Sequence, residues 1–163
     1  MGACSGPPGA GRQLGDDLGT FTVAATEANN SCGRGALGSS PEFSFDVELS
    51  RDASELFWDG RVGGRIDASL EFVFAATVEV PSRQARPADP GCTLIRSDQI
   101  TGLLEADASG TVLGFTGTLE FAFATDPASR CTAEDELRAG LPRLPCGFGY
   151  TLEAERTRAP ENL

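Results

Sequence analysis

The chain contains no histidine and no lysine, and all thirteen of its basic residues are arginine. Without an imidazole, no Ser–His or Cys–His nucleophile can be assembled. Without a side-chain amine, no Schiff base can form. No apolar run approaches the ~20 residues that a membrane-spanning helix requires. No two cysteines stand at CxxC spacing, so a zinc site built from Cys32, Cys92, Cys131 and Cys146 would lack the close ligand pairs that such sites use. Met, Trp and Tyr occur once each, and the aromatic surface is left to ten Phe. Positive charge is scarce: 24 acidic residues against 13 arginines leave a net charge of -11. That excess repels phosphate backbones and makes nucleic acid a poor partner.

Hydrophobic residues make up 40% of 163 positions, enough for the core of one domain. Twenty Gly and ten Pro imply many turns. The organising stretch is Leu70-Glu-Phe-Val-Phe-Ala-Ala-Thr-Val-Glu-Val80, which reads as a long strand. Leu119-Glu-Phe-Ala-Phe-Ala-Thr125 nearly repeats it, and Phe21-Thr-Val-Ala-Ala-Thr26 is a looser copy. Each copy runs into a polar loop that holds or ends in a cysteine. Phe43, Phe45, Val47 and Leu49 alternate with Ser44, Asp46, Glu48 and Ser50, the period-two pattern of a half-buried strand. Asp59-Gly60 marks a hairpin. Asp67-Ala68 and Asp107–Gly110 mark turns.

Taken in order, strands are expected at Leu18–Thr26, Phe43–Leu49, Glu55–Trp58, Arg61–Ile66, Leu70–Val80, Cys92–Ala106, Thr111–Thr125 and Cys146–Glu155. One short helix is expected near 133–139. Thr132 stands at its N-cap and Asp135 at the capping-box offset. Ala133, Leu137 and Leu141 are spaced four apart, and Gly140 and Pro142 end it. The expected fold class is all-β: an eight-stranded antiparallel up-and-down meander, closed as a barrel or curled as a sandwich. Residues 1–17 form a leader and linker, 18–157 a single β domain and 158–163 a tail.

Strand parity adds a constraint. Numbered alternately up and down, the eight strands place Cys32, Cys92, Cys131 and Cys146 at one end. Two disulfides require that proximity. Merging 61–80 into one strand would send Cys32 to the opposite end. The favoured pairs are Cys32–Cys92 and Cys131–Cys146, because the second pair brackets one loop and its weak helix. Four cysteines allow three pairings. A Cys32–Cys146 bond would instead bring the first and last strands side by side and support a closed barrel.

Met1-Gly-Ala-Cys4-Ser5 resembles the cleavage box of bacterial lipoproteins, in which small residues precede the cysteine that receives the lipid. Cys4 is the odd cysteine left after pairing the other four, and the Gly- and Pro-rich stretch behind it suits a tether. The charged start and apolar segment of that family do not precede Met1, so either the coding sequence begins further upstream or the native signal has been replaced. The resemblance implies a lipid anchor on Cys4. Ser5, in place of Asp, implies export to the outer membrane. The whole sequence is similar to cell-envelope lipoproteins of myxobacteria and their relatives. The strand plan resembles lipocalin-like and avidin-like barrels through Leu18-Gly-Thr-Phe21.

Other chemistries rest on fewer residues. Glu71 and Glu120 are the candidate carboxylate pair for glycoside hydrolysis, although the repeat makes them outward residues of matching strands. Asp126, Glu134, Asp135 and Glu136 could bind Ca²⁺, but they lack EF-hand spacing and read as a solvated face. Trp58 reads as core. No cofactor or metal is implied. The links at the cysteine end are long (28–42, 81–91 and 126–145), whereas those at the other end are tight turns. Long loops on a compact domain commonly bind. The expected function is a non-catalytic binding module of the cell envelope, outer-membrane-anchored or free outside the cytoplasm. It would be monomeric and would take a small apolar ligand or an envelope protein at its loop-rich mouth. The alternatives are a carboxylate-only enzyme acting on glycans and a purely structural envelope protein.

Overall fold

The structure is a computed structural model and describes residues 14–160. Cys4, the expected lipid site, lies outside the described residues, as do most of the 1–17 leader and the end of the 158–163 tail. Eight antiparallel strands follow one another around a closed barrel: β1 (Asp16–Asn30), β2 (Glu42–Asp52), β3 (Glu55–Trp58), β4 (Val62–Ile66), β5 (Glu71–Arg83), β6 (Cys92–Ala106), β7 (Val112–Thr125) and β8 (Cys146–Arg158). The sheet closes where β8 pairs with β1, with Val23 opposite Ala154 and Ala25 opposite Leu152. Closure decides the fold in favour of the barrel over the sandwich and removes the sheet edges there.

Alternation puts one face of every strand inside. Phe21, Val23, Val47, Leu49, Phe72, Phe74, Leu104, Phe115 and Leu152 are buried. Their outward neighbours Thr22, Ala24, Asp46, Glu48, Glu71, Glu105, Thr116 and Glu153 are exposed. The lower half of the barrel is filled by rings. Phe115 meets Phe21 at 6.0 Å, Phe72 at 5.6 Å and Trp58 at 6.1 Å between centroids, and Trp58 stands edge-on to Phe74 at 5.6 Å. Two glycines make room for these rings. A Cβ on Gly64 would lie 2.4 Å from Phe74, and one on Gly102 would lie 2.5 Å from Phe72.

Two of the three turns at the base share one device. The Asp67 carboxylate accepts hydrogen bonds from Ser69 N–H, the Ser69 hydroxyl and Glu71 N–H. Asp107 does the same with Ser109 N–H, the Ser109 hydroxyl and Thr111 N–H. An Asp side chain that mimics a backbone turn fixes each hairpin.

At the other end the wall is uneven. β3 meets β2 only over Leu49–Asp52, and β4 meets β5 only at Arg65–Val73 and Ile66–Phe72. Above that level, among the described residues, the upper parts of β2 and β5 have no strand between them. The barrel is a cup with a notch cut from its rim. Pro81 sits within β5, opposite Thr93, and the strand continues to Arg83 past the Val80 limit read from sequence. Pro has no N–H to donate, and beside the notch only one side of β5 needs donors.

The cysteine pairing corrects the favoured assignment. The disulfides are Cys32–Cys146 and Cys92–Cys131, with Cα separations of 4.9 and 4.7 Å. Both bonds follow from neighbouring strands. β1 lies beside β8, so Cys32 comes up against Cys146. The chain leaving β7 folds back along β6, its neighbour, and Arg130 N–H donates to Gly91 O at 2.8 Å, which sets Cys131 beside Cys92. A shared zinc site is thereby excluded. Two disulfides place the folded chain in an oxidising, non-cytoplasmic compartment. No helix among the described residues is long and apolar enough to cross a membrane.

Candidate functional site

The inward positions change character towards the rim. In β5 the inward series starts with Phe72 and Phe74, which are buried, and continues to Val78 and Val80, which are 40% and 38% exposed. In β2, Val47 and Leu49 are buried whereas Phe43 is 37% exposed. Val62, at the top of β4, is open as well. These side chains point into the cup yet meet solvent, because the notch removes the strands that would cover them. The base is packed and the mouth is not.

Aromatic rings line the far wall of the mouth. Phe148 lies 5.0 Å from Phe121, 5.7 Å from Phe123 and 6.1 Å from Tyr150, and Tyr150 meets Phe43 edge-on at 4.9 Å. Two cavities open there. One of about 390 Å³ lies between Leu37, Phe43, Phe121, Phe148 and Tyr150. The other, of about 370 Å³, lies between Val80, Pro81, Leu94, Arg138 and Leu141. Leu37, Arg96 and Phe123 border both. Each is within the size range of small-molecule sites.

Three long loops frame this mouth and are tied to the barrel. The first (31–41) holds a 3₁₀ turn at Ala36–Gly38 that the sequence did not announce. Its Cys32 is bonded to Cys146. Its Ser40 carbonyl accepts the Tyr150 hydroxyl at 3.1 Å. Burial, and then the nearby Glu27 charge, push the Tyr150 hydroxyl above its ordinary range, which keeps it a neutral donor.

The second and third loops meet at Arg83. Its Nε donates to the Asp135 carboxylate at 3.1 and 3.3 Å, its Nη1 to Asp89 and its Nη2 to the Arg130 carbonyl at 2.9 Å. Asp135 also caps α1 (Ala133–Arg138), accepting from Thr132 N–H and the Thr132 hydroxyl, each at 2.9 Å. One carboxylate thus closes the capping box expected from Thr132 and also receives an arginine from the neighbouring loop. The Thr132 N–H, followed by the Thr132 hydroxyl and Arg83, holds Asp135 below the usual carboxylate range. The solvated acidic face therefore needs correction at Asp135. Asp135 is 2% exposed and committed to Arg83, while Glu134 pairs with Arg138 at 2.8 Å. The apolar stripe needs correction too: Leu141 is buried but Leu137 is 65% exposed, because a helix of six residues turns only one side to the barrel.

The other candidates are not assembled. Glu71 lies opposite Leu103, and Glu120 opposite Gln99, on the outer face. With β6 between them and an offset of four residues, they are about 16 Å apart by strand geometry. That is beyond the carboxylate separations of glycoside hydrolases. Asp126 caps its own turn by accepting Ala128 N–H at 3.0 Å. Among the described residues no group of three acidic, Cys or His side chains could hold a metal ion. Trp58 is half-buried and packs against the core. A wider groove of about 810 Å³ on the outer face, bordered by Arg65, Asp67, Glu71, Leu103 and Thr118, mixes both charges and is framed by no loop that a disulfide ties.

No family model, no curated protein and no solved structure matches this chain. The mouth is therefore read from its own chemistry. Two residues there escaped the sequence reading, Arg96 and Asp98. They alternate with Leu94 and Ile100 on the inward face of β6, and Arg96 Nη2 donates to Asp98 Oδ2 at 2.7 Å. The Arg96 guanidinium lies 6.0 Å from the Phe121 ring centre, within cation–π range. The available signal was the period: Leu94-Ile95-Arg96-Ser97-Asp98 puts two charges at inward positions of a strand.

Proposed function

We propose that the protein is a non-catalytic binding module of the cell envelope, anchored through a lipid on Cys4 and binding a small apolar ligand in the mouth of its barrel. The observation that carries this reading is the exposure of Phe43, Val78 and Val80 on the inner wall, between loops tied by Cys32–Cys146 and Cys92–Cys131. Inward apolar side chains left open to water are a source of binding free energy, at about 25 cal/mol per Å² covered. Loops already held by disulfides and by Arg83 lose little entropy when a ligand arrives. A purely structural envelope protein would gain nothing from leaving this wall uncovered.

An environment-sensitive apolar dye tests the mouth. The intact chain should take it up with a blue-shifted, saturable signal. Val80→Glu, which puts a charge on the open wall, should abolish uptake without unfolding the barrel. No saturable signal in the intact chain refutes ligand binding and leaves the loops as scaffolding. The anchor is tested separately, by intact mass after expression with the native upstream region in a Gram-negative host. A diacylglyceryl and acyl addition on Cys4 is expected. An unmodified secreted product rules the anchor out.

A further inference from the structure

We infer that the mouth takes an anionic amphiphile: an apolar chain lying along the open inner wall, with a carboxylate head on Arg96. This rests on the mouth being a ligand site, as proposed above, and adds the chemistry of the ligand.

The first observation is charge. The protein carries a net charge of -11, yet among the described residues the fixed charges bordering the two mouth cavities are Arg96 and Arg138. Their carboxylate partners are Asp98 and Glu134. Neither partner is among the residues bordering these two cavities, although Asp98 shares the inward face of β6 with Arg96.

The second observation concerns unmet hydrogen bonds. Among the described residues, the buried side-chain polar atoms without a partner are Ser39 Oγ, Arg96 Nε and Asp98 Oδ1. Ser39 borders the same cavity as Arg96, and Asp98 accepts a hydrogen bond from Arg96. Polar groups buried without partners are costly, and a folded chain retains few of them away from functional sites. Arg96 has five N–H donors and gives one to Asp98. Its side chain is 38% exposed, which leaves donors open to the cavity. A carboxylate takes two parallel N–H donors from a guanidinium.

The third observation is position. Arg96 lies between Phe123 and the exposed Val78 and Val80 across the sheet, with Phe121 beneath its guanidinium. A head bound at Arg96 sends its chain over Val78 and Val80 towards the notch. That wall is apolar where the chain lies and cationic where the head sits.

The test uses the full chain and two probes with the same apolar body, a fluorescent polyene fatty acid and its methyl ester. The acid should bind about tenfold tighter than the ester, the effect of one charge-assisted pair. The double variant Arg96→Gln/Asp98→Asn, which removes both charges and strands neither, should bring the acid down to the ester's affinity and leave the ester unchanged. Arg65→Gln in the outer groove should change neither. Equal binding of acid and ester by the intact chain overturns the carboxylate head while leaving an apolar site in place. Absence of binding by both probes overturns the site itself. If the double variant loses its fold by circular dichroism, the acid–ester comparison in the intact chain decides alone.

Discussion

Cys32 and Cys146 continue the pairing of the first strand with the last. Asn30 lies opposite Phe148, Ser31 N–H donates to Gly147 O at 2.8 Å and Gly147 N–H donates back to Ser31 Oγ at 2.9 Å, and the disulfide follows one residue later. The bond therefore fastens the seam at which the barrel closes. Cys92–Cys131 acts differently, fixing a loop to the strand along which it already lies.

Non-reducing peptide mapping should recover Cys32–Cys146 and Cys92–Cys131 and no other pair. Removing either bond by paired Cys→Ser changes lowers stability. With sequence separations of 114 and 39, the chain-entropy relation gives about 5 and 4 kcal/mol respectively. The seam variant should be the weaker protein in urea. If the loop variant proves the less stable of the two, the seam does not depend on its disulfide.

Thr132→Ala removes a cap whose hydroxyl accepts Asp135 N–H and donates to the Asp135 carboxylate. It should cost about 1 kcal/mol, while Thr132→Ser should cost far less. Hydrogen exchange should localise the loss to 132–141. A global loss would mean that α1 is part of the barrel's cooperative unit and not an appended turn.

Acid should weaken the protein in a defined way. The Ser69 hydroxyl first, and then backbone N–H groups, hold Asp67 below the ordinary carboxylate range, and the Ser109 hydroxyl and Thr111 N–H do the same for Asp107. The Gly91 N–H followed by Arg83 lowers Asp89, and the Thr132 N–H lowers Asp135. Each group has a lower pKa folded than unfolded. Its contribution is complete above the unfolded value of about 4 and is lost as pH falls through the folded value. Urea midpoints should therefore hold steady down to that region and fall below it, and Asp107→Asn should flatten the fall. An unchanged acid slope in that variant would show that the turn carboxylate carries none of it.

The two inner glycines give a steric prediction. A methyl at Gly64 or Gly102 meets Phe74 or Phe72 and a strand carbonyl at 2.6 Å or less. Gly64→Ala and Gly102→Ala should each cost about 1–3 kcal/mol, the range for overpacking a filled core. Gly110→Ala meets no neighbour within 4 Å and is strained only by its φ of +84°, so it should cost about 1 kcal/mol. Equal losses at all three positions would remove the case for tight ring packing at the base.

The strands were legible because Phe43–Leu49, Leu70–Val80 and Leu119–Thr125 carry period two in plain residues. The cysteine end followed from counting those strands. The pairing did not follow, because bracketing one loop is a local argument, whereas Cys32 meets Cys146 through a closure 114 residues long. The notch was hidden for a similar reason. The shortness of Glu55–Trp58 and Val62–Ile66 can be read in sequence, but what it uncovers on β2 and β5 belongs to three-dimensional register. Arg83 and Asp135 stand 52 residues apart, and nothing local marks them as partners.

The division into a packed base and an open mouth can be tested with two phenylalanines. Phe115 is 0% exposed and touches Phe21, Phe72 and Trp58; Phe43 is 37% exposed and rests against Tyr150 and Phe45. Phe115→Ala leaves a cavity where nothing can close in, and it should cost about 3–5 kcal/mol, a large share of the 5–15 kcal/mol that holds a domain together. Phe43→Ala gives up one edge-on ring contact and some half-covered surface, about 1 kcal/mol. The order reverses for binding. Phe43→Ala should weaken uptake of an apolar dye several-fold, while Phe115→Ala, studied at a temperature where it remains folded, should leave uptake intact. Equal destabilisation by the two changes would show that the mouth is as fully packed as the base. The exposed wall would then be part of the core, with no surface to offer a ligand.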